Sequence, residues 1–596
     1  MSSNVAEQRA LFGSVESEGT VLAQERTSER RPKGAAAKPE KGKAKASAKP
    51  KPKRPAAKAP AESPAAPEPE KKAHADESGT VAHQLAQKQR EISVSEFFTK
   101  NRHLLGFDNP RKALLTAIKE AVDNSLDACE EAGILPEIRI EILPTAREDR
   151  FRVVVEDNGP GIVKAQLPQV FARLLYGSKF HVLKQQRGQQ GIGISAAAMY
   201  GQLTTGKPLS VISRIGKKHA AHYVELKIDT ARNKPEVLRE METDWDKDHG
   251  TRIELELEAK VQKGRQSVDE YLQHTAIANP HATIEYVDWE KQKFRWERGV
   301  KSLPAQPKEI QPHPYGVEVG MLGGMMKTTQ SKQLGAFLKA DFSRVSPRVA
   351  NQICEKAGVS PKMWITQVEP EQIEKIHHAM GEVKILAPAT DCLVPIGDAG
   401  LIAGMKKVLE ADLFLAETRP PKIYRGNPFA VEVGVAYGGK LPLEEPIRLM
   451  RFANRVPLLY QQGACCTTKA IITTDWRNYM LSQPKDSLPV GPMALVVHLC
   501  SAWVPFTSEA KEAIAHYPEI IKEIRLALME IGRKIASHIR KRHREADETK
   551  KRNYIDLFLP TVVEALREIL TFDDATAKKA SSNLRDVLEA TRKAMV

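Results

Sequence analysis

Three short constellations within the 76 residues from Glu120 to Ser195 hold residue types that could do chemistry. In the first, Glu120 and Asn124 lie four apart and Asp127 three further, so on a helix all three project from one face. A carboxylate beside an amide oxygen suits two jobs: activating a water, and holding one position of an octahedral Mg²⁺ that keeps other waters and phosphate oxygens. Acidic residues on a solvated helix face are commonplace, so this set proves little alone. The second is Glu156-Asp157-Asn158-Gly159-Pro160-Gly161-Ile162, directly after an apolar segment. Asp-Asn-Gly is turn chemistry, yet an Asp fixed by glycines that let a ligand approach could accept a hydrogen bond from an adenine amino group. The third is Arg187-Gly188-Gln189-Gln190-Gly191-Ile192-Gly193-Ile194-Ser195, which runs into Ala196-Ala197-Ala198. Glycines leading into a helix point backbone N–H groups and a helix N-terminus at phosphate. Upstream, Tyr176-Gly177-Ser178-Lys179 could add a hydroxyl and an ammonium group.

Two near-matches belong to other chemistries. Gly201 to Lys207 resembles a P-loop, but Pro208 stands where Ser or Thr should ligate Mg²⁺. Gly191-Ile192-Gly193-Ile194-Ser195-Ala196 approximates a dinucleotide fingerprint with no strand at the required distance before it.

The elements that must position these residues are legible. A helix is predicted from Pro110 to about Ala132, with Asn109 as N-cap, Pro110 at the first helical position and Gly133 as the stop. Its opposite face, Leu114, Ile118, Val122 and Leu126, is free to pack on a sheet. Alternating segments at 137–143, 151–156, 209–214, 222–228 and 251–257 read as strands of that sheet, covered by helices on one face, an α+β unit. Residues 315–392 hold only short helical patterns, at 332–342, 346–357 and 369–379. Strand patterns resume at 429–437, 447–454 and 494–502, followed by helices predicted at 518–541 and 577–595.

Composition bounds the partners. The net charge is +15, and ten Lys and Arg against Glu40 fall between Lys33 and Lys58. Such a Lys/Ala/Pro-rich stretch cannot bury enough apolar surface to fold, so a disordered basic tail is expected over residues 1–90. It is suited either to a polyanion, since Lys and Arg displace counterions from nucleic acid, or to plain solubility. No apolar run is long enough to span a bilayer and no secretory leader is evident, so a cytoplasmic location is expected. The six cysteines include no CxxC pair, which indicates reduced buried thiols and no zinc-ligand spacing.

ExxxN on a helix, DNGxG after a strand and GxxGxG before a helix, in that order, resemble the nucleotide site of the GHKL, or Bergerat-fold, ATPases, the superfamily of gyrase, MutL and sensor histidine kinases. Gly250-Thr251 resembles a further Gly-Thr box of that superfamily. Ser95 to Asn101, Glu120 to Ala128, Arg173 to Lys179, Arg451 to Tyr460 and Trp503 to Ser508 are similar to the B subunits of topoisomerase VI. That likeness covers roughly residues 92–545.

The resemblance implies a GHKL α/β sandwich over 91–312, a helix-two-turns-helix insert over 313–395, an α/β transducer with a long helix over 396–545 and a helical extension over 546–596. It implies ATP and Mg²⁺, with Glu120 as general base, Asn124 as Mg²⁺ ligand and Asp157 reading adenine. Ser178 and Lys179 match its nucleotide-contacting pair, and Gly188, Gln189, Gln190, Gly191, Ile192, Gly193, Ile194 and Ser195 its phosphate lid. Lys469 matches its switch lysine. Implied partners are DNA, a DNA-cleaving A-type subunit and a second copy on ATP binding, as an A2B2 heterotetramer in the nucleoid. The basic end of the long helix, from Arg533 to Arg544, would lead towards that subunit, touch DNA or face solvent. A MutL-like repair clamp shares the ATPase and transducer but leaves the helical insert unexplained. A sensor kinase would need a phosphoacceptor histidine that only His74 and His83 could offer, and an adaptor with a dead site is at odds with Glu120 and Asn124.

Overall fold

The computed structural model describes residues 91–180, 182–188, 191–508, 510–571 and 573–594, with Leu85 and Gln89. The expected basic tail lies almost wholly outside the described residues, as do Gln189 and Gln190.

After a short helix α1 (Val94–Lys100), the long helix α2 spans Pro110–Glu131. It starts where the Asn109 side chain accepts the Lys112 N–H at 3.0 Å, and Gly133 turns the chain away at φ +73°. Leu114, Ile118, Val122 and Leu126 are all buried against a sheet, which forces the Glu120 side outward. The sheet has eight strands: β1 (Glu137–Pro144), β2 (Arg150–Asp157), β3 (Leu209–Arg214), β4 (Ala221–Asp229), β5 (Lys234–Thr243), β6 (Gly250–Glu258), β7 (Thr283–Val287) and β8 (Lys293–Trp296). Their order is β5-β4-β3-β6-β2-β1-β7-β8. All neighbours run antiparallel except β1 and β7, and β2 is central, so Asp157 closes a strand flanked on both sides. Helices α3 (Leu167–Ala172), α4 (Gly193–Thr205) and α5 (Val268–Ala278) share this core with α2. Four helices follow, α6 (Val319–Thr328), α7 (Leu334–Ala340), α8 (Pro347–Ala357) and α9 (Pro370–Glu382), around a small core of Leu322, Phe337, Ile353 and Ile376.

The second α/β unit opens with α10 (Asp398–Lys406). Its six-stranded sheet comprises β9 (Leu413–Thr418), β10 (Lys422–Tyr424), β11 (Asn427–Tyr437), β12 (Arg448–Ala453), β13 (Val456–Pro457) and β14 (Met493–Ser501). β14 is buried along its whole length because it pairs antiparallel with β11 and parallel with β12. After α11 (Cys466–Ile472), helix α12 (Pro518–Leu570) buries Ile520, Ile524, Leu528, Ile531 and Ile535 against this sheet, and α13 (Asp574–Ala594) follows. A further core joins the units, packing Ile277 of α5 and Leu401 and Met405 of α10 with Met450 and Phe452 of β12.

The differences from expectation have local causes. β5 is an edge strand exposed along nearly its whole length, so it carries no alternation of burial to read. α6 contains Gly320, Gly323 and Gly324, which weaken helix propensity. α12 continues through Pro560 to Leu570 rather than ending near Lys541. The P-loop look-alike is the end of α4, with Gly206 as its left-handed C-cap. No described helix is long and apolar enough to cross a membrane.

Candidate nucleotide site

A cavity of about 370 Å³ lies between α2, the end of β2, the segment from Tyr176 to Ile194 and two loops of the second unit, Pro457–Tyr460 and Ala510–Glu512. Glu120, Asn124, Asp157, Ser178, Lys179, Gly188, Gly191, Ile192, Gly193 and Ile194 all line it. Gly193 leaves room for the Glu120 side chain, since a Cβ there would fall 1.8 Å from Glu120 Oε2 and displace that carboxylate. The first turn of α4 therefore rests directly on that carboxylate. Ile192 offers no side-chain cap, so the leading N–H groups of α4 have no intrahelical acceptor and suit an anion. Ser195 is buried, outside the cavity lining, and its hydroxyl donates to Ile192 O at 2.9 Å. Its hydroxyl is thus engaged within the first turn of α4.

At the other end, Asp157 is fixed by three donors. Ser125 Oγ donates to Oδ2 at 2.7 Å, and the N–H groups of Gly159 and Thr251 donate to Oδ1 at 2.9 and 3.1 Å. Burial raises its pKa despite these bonds. Gly161, at φ +71°, passes so close to β3 that a Cβ would meet Arg214 O at 2.1 Å. The carboxylate lines the cavity together with the apolar Leu105, Phe107, Phe171 and Ile253.

Asp127 shares the helix with Glu120 and Asn124 but is engaged by counter-ions. It does not line the cavity and binds two cations, Lys179 Nζ at 2.5 Å and Arg187 Nη1 at 2.6 Å. Arg187 is buried and also reaches Glu130 and Asn279, each at 2.6 Å. Lys179 meets Glu131 as well, at 3.2 Å, and although burial lowers its pKa, the two carboxylates raise it further. The cluster ties Lys179 and Arg187, which precede the glycine lid, to α2.

Lys469 is not brought to the cavity. It sits exposed on α11 and does not line the cavity. The transducer lysine that does is Lys511, in the loop between β14 and α12, whose Nζ donates to Arg187 O at 3.2 Å. Burial lowers its pKa, partly offset by Glu120, the anion that opposes it most. The segment Trp503 to Ser508, already similar to a transducer, leads straight into it and was the signal available. Asp123, next to Asn124 in sequence, is buried and receives the Tyr271 hydroxyl at 3.2 Å, and burial pushes its pKa up to about 7.

A second polar group lies under the transducer sheet. Glu432, His498 and Cys500 come within ligand distance of one another. The Arg455 N–H donates to His498 Nε2 at 2.9 Å, which leaves Nδ1 to carry the proton towards Glu432 Oε2 at 2.7 Å. Glu432 also accepts from the N–H groups of Ile396 and Gly397. Burial would raise this carboxyl, but His498 and those N–H groups bring it down to about 2. With its donors and acceptors satisfied, the group is a closed hydrogen-bond network.

Residues 109–261 match the family of histidine kinase-, DNA gyrase B- and HSP90-like ATPases, so the chain carries an ATP-binding domain of that class. Residues 388–551 match the transducer of the topoisomerase VI B subunit. Three curated relatives, each named as the B-type subunit of a type 2 DNA topoisomerase 6, align across both. The protein of Methanococcoides burtonii is 49% identical over 494 residues, covering 83% of this chain and 79% of that one. That of Methanosarcina barkeri is 48% identical over 495 residues, with 83% and 80% covered. That of Archaeoglobus fulgidus is 46% identical over 487 residues, with 82% and 80% covered. The chain belongs to the topoisomerase VI B-type family.

Proposed function

We propose that this chain hydrolyses ATP as the gate of a two-subunit type II topoisomerase, with Glu120 as the base that orients and deprotonates the attacking water. The observation that carries the reading is one cavity in which Glu120 and Asn124 of α2, the glycine lid and Lys511 of the transducer converge. Asp157 takes the adenine amino group, and Ser178, Lys179 and the lid amides from Gly188 to Ser195 hold the phosphates. The exposed amide of Asn124 beside Glu120 fits a hard cation with few protein ligands, so it would hold Mg²⁺, which when bound neutralises phosphate charge. Lys511 stands for Lys469 as the cation contributed by the second unit. Because that unit supplies it, domain geometry depends on whether a γ-phosphate is present.

On this reading residues 91–312 form the ATPase unit, 313–395 the insert, 396–545 the transducer and 546–596 a helical extension. Two copies close on ATP, and α12 leads to an A-type subunit that cuts DNA, giving an A2B2 assembly on cytoplasmic, nucleoid DNA. The test is phosphate release by the purified chain with and without DNA, and relaxation of supercoiled DNA with a candidate A-type partner. DNA-stimulated turnover, and relaxation only with both proteins and ATP, are expected. Relaxation without ATP, or no turnover at all, overturns the reading.

A further inference from the structure

Lys511 does not reach the cavity by a relaxed route. Its backbone lies at φ +53°, a conformation that residues with a Cβ rarely adopt and that persists only where neighbours enforce it. The enforcing contacts are on the next residue. Glu512 is buried, and its Oε1 lies 2.6 Å from Lys112 Nζ, in the first turn of α2. Its Oε2 accepts from Gln461 Nε2 at 2.6 Å. Lys112 is itself set by Asp108 at 3.0 Å and stands over the Tyr460 ring, 5.4 Å from its centre. The helix that carries Glu120 therefore grips the transducer loop two turns upstream of that carboxylate, and both residues of the ion pair line the cavity. A charge pair this well shielded is held firmly, because releasing one partner leaves the other poorly solvated.

We propose that the Lys112–Glu512 ion pair is a latch: Glu512 is the positioning residue that seats Lys511 opposite Glu120, and so lets the transducer complete the ATPase site. This rests on the reading of Lys511 given above. The latch makes turnover depend on the two units being engaged at this loop, without either residue of the pair touching the reacting atoms.

The test uses the full chain and measures ATP turnover together with affinity for a non-hydrolysable ATP analogue. E512Q and K112M are each expected to lower kcat about tenfold while analogue affinity changes less than about threefold, the split expected of misplaced catalytic charge rather than lost binding. The double variant should be no worse than either single one, and K112R, which keeps the pair, should restore most of kcat. Should E512Q fail to fold, K112M and K112R carry the comparison. Additive losses, or unchanged kcat in both single variants, overturn the latch. A parallel K511M variant separates the two claims. If K511M lowers kcat and the pair variants do not, the latch alone falls. If K511M turns over normally, the role of Lys511 falls, and the latch with it.

Discussion

At the end of the cavity closed by Asp157, every polar partner comes from the same unit: Ser125 from α2, Gly159 from the turn after β2 and Thr251 from β6. At the other end, Glu120 faces a lid and a lysine from a different unit, 391 positions away in the chain. The first end is buried and fully hydrogen-bonded, so it is set by folding alone. The second holds charges whose arrangement depends on how two units meet. Recognition of a base can thus be rigid while response to a phosphate stays conditional, and one cavity serves both.

The largest expected effect falls at the conditional end. Glu120→Ala should cut phosphate release by about 10²- to 10⁴-fold, the usual worth of a general base, while nucleotide-analogue binding is retained. Normal turnover would remove Glu120 from that role. At the rigid end, Asp157→Asn should act on affinity instead, weakening adenine-nucleotide binding by about ten- to a hundredfold through a lost charge-assisted bond. Equal affinity for ATP and GTP in the unmodified chain would show that Asp157 does not read the base.

The joint between the ends offers a third probe. His274 of α5 packs beside Phe452 of β12 with 5.8 Å between ring centres, and burial, with Arg448 and Arg451 nearby, lowers its pKa from 6.5 to about 3. The unfolded chain therefore takes up a proton below pH 6.5 that the folded one refuses. Stability present above that pH is lost as the pH falls, by about 1.4 kcal/mol for each unit until the folded pKa is reached. His274→Gln should flatten that slope in thermal melts between pH 6.5 and 5; an unchanged slope would place the titration elsewhere. The smallest effect is expected for Lys469→Ala, where turnover should stay within about twofold, the usual reach of an exposed side chain remote from the reacting groups.

How far the sequence could be read follows the same division. Helix α2 was legible from Asn109, Pro110 and its buried stripe, and with it the placing of Glu120 and Asn124. Asp157 was legible because a glycine turn at a strand end has a local signature. The partners of Asp127 were not, since helical spacing assigns a face but not the counter-ions, Lys179 and Arg187, that a side chain meets. Lys511 was not either. Its place is set by β14, a strained loop residue and an ion pair to Lys112, and no periodicity reports a contact between units so distant in sequence. Lys469 carries the local resemblance, but the packing of α11 leaves it exposed.

The most direct test of a transducer lysine that senses the γ-phosphate is a comparison of affinities for ADP and for a non-hydrolysable ATP analogue, in the unmodified chain and in Lys511→Met. The unmodified chain should prefer the ATP analogue by about tenfold or more, the worth of one charge-assisted bond, and the variant should bind both nearly alike. An undiminished preference in the variant would contradict the account.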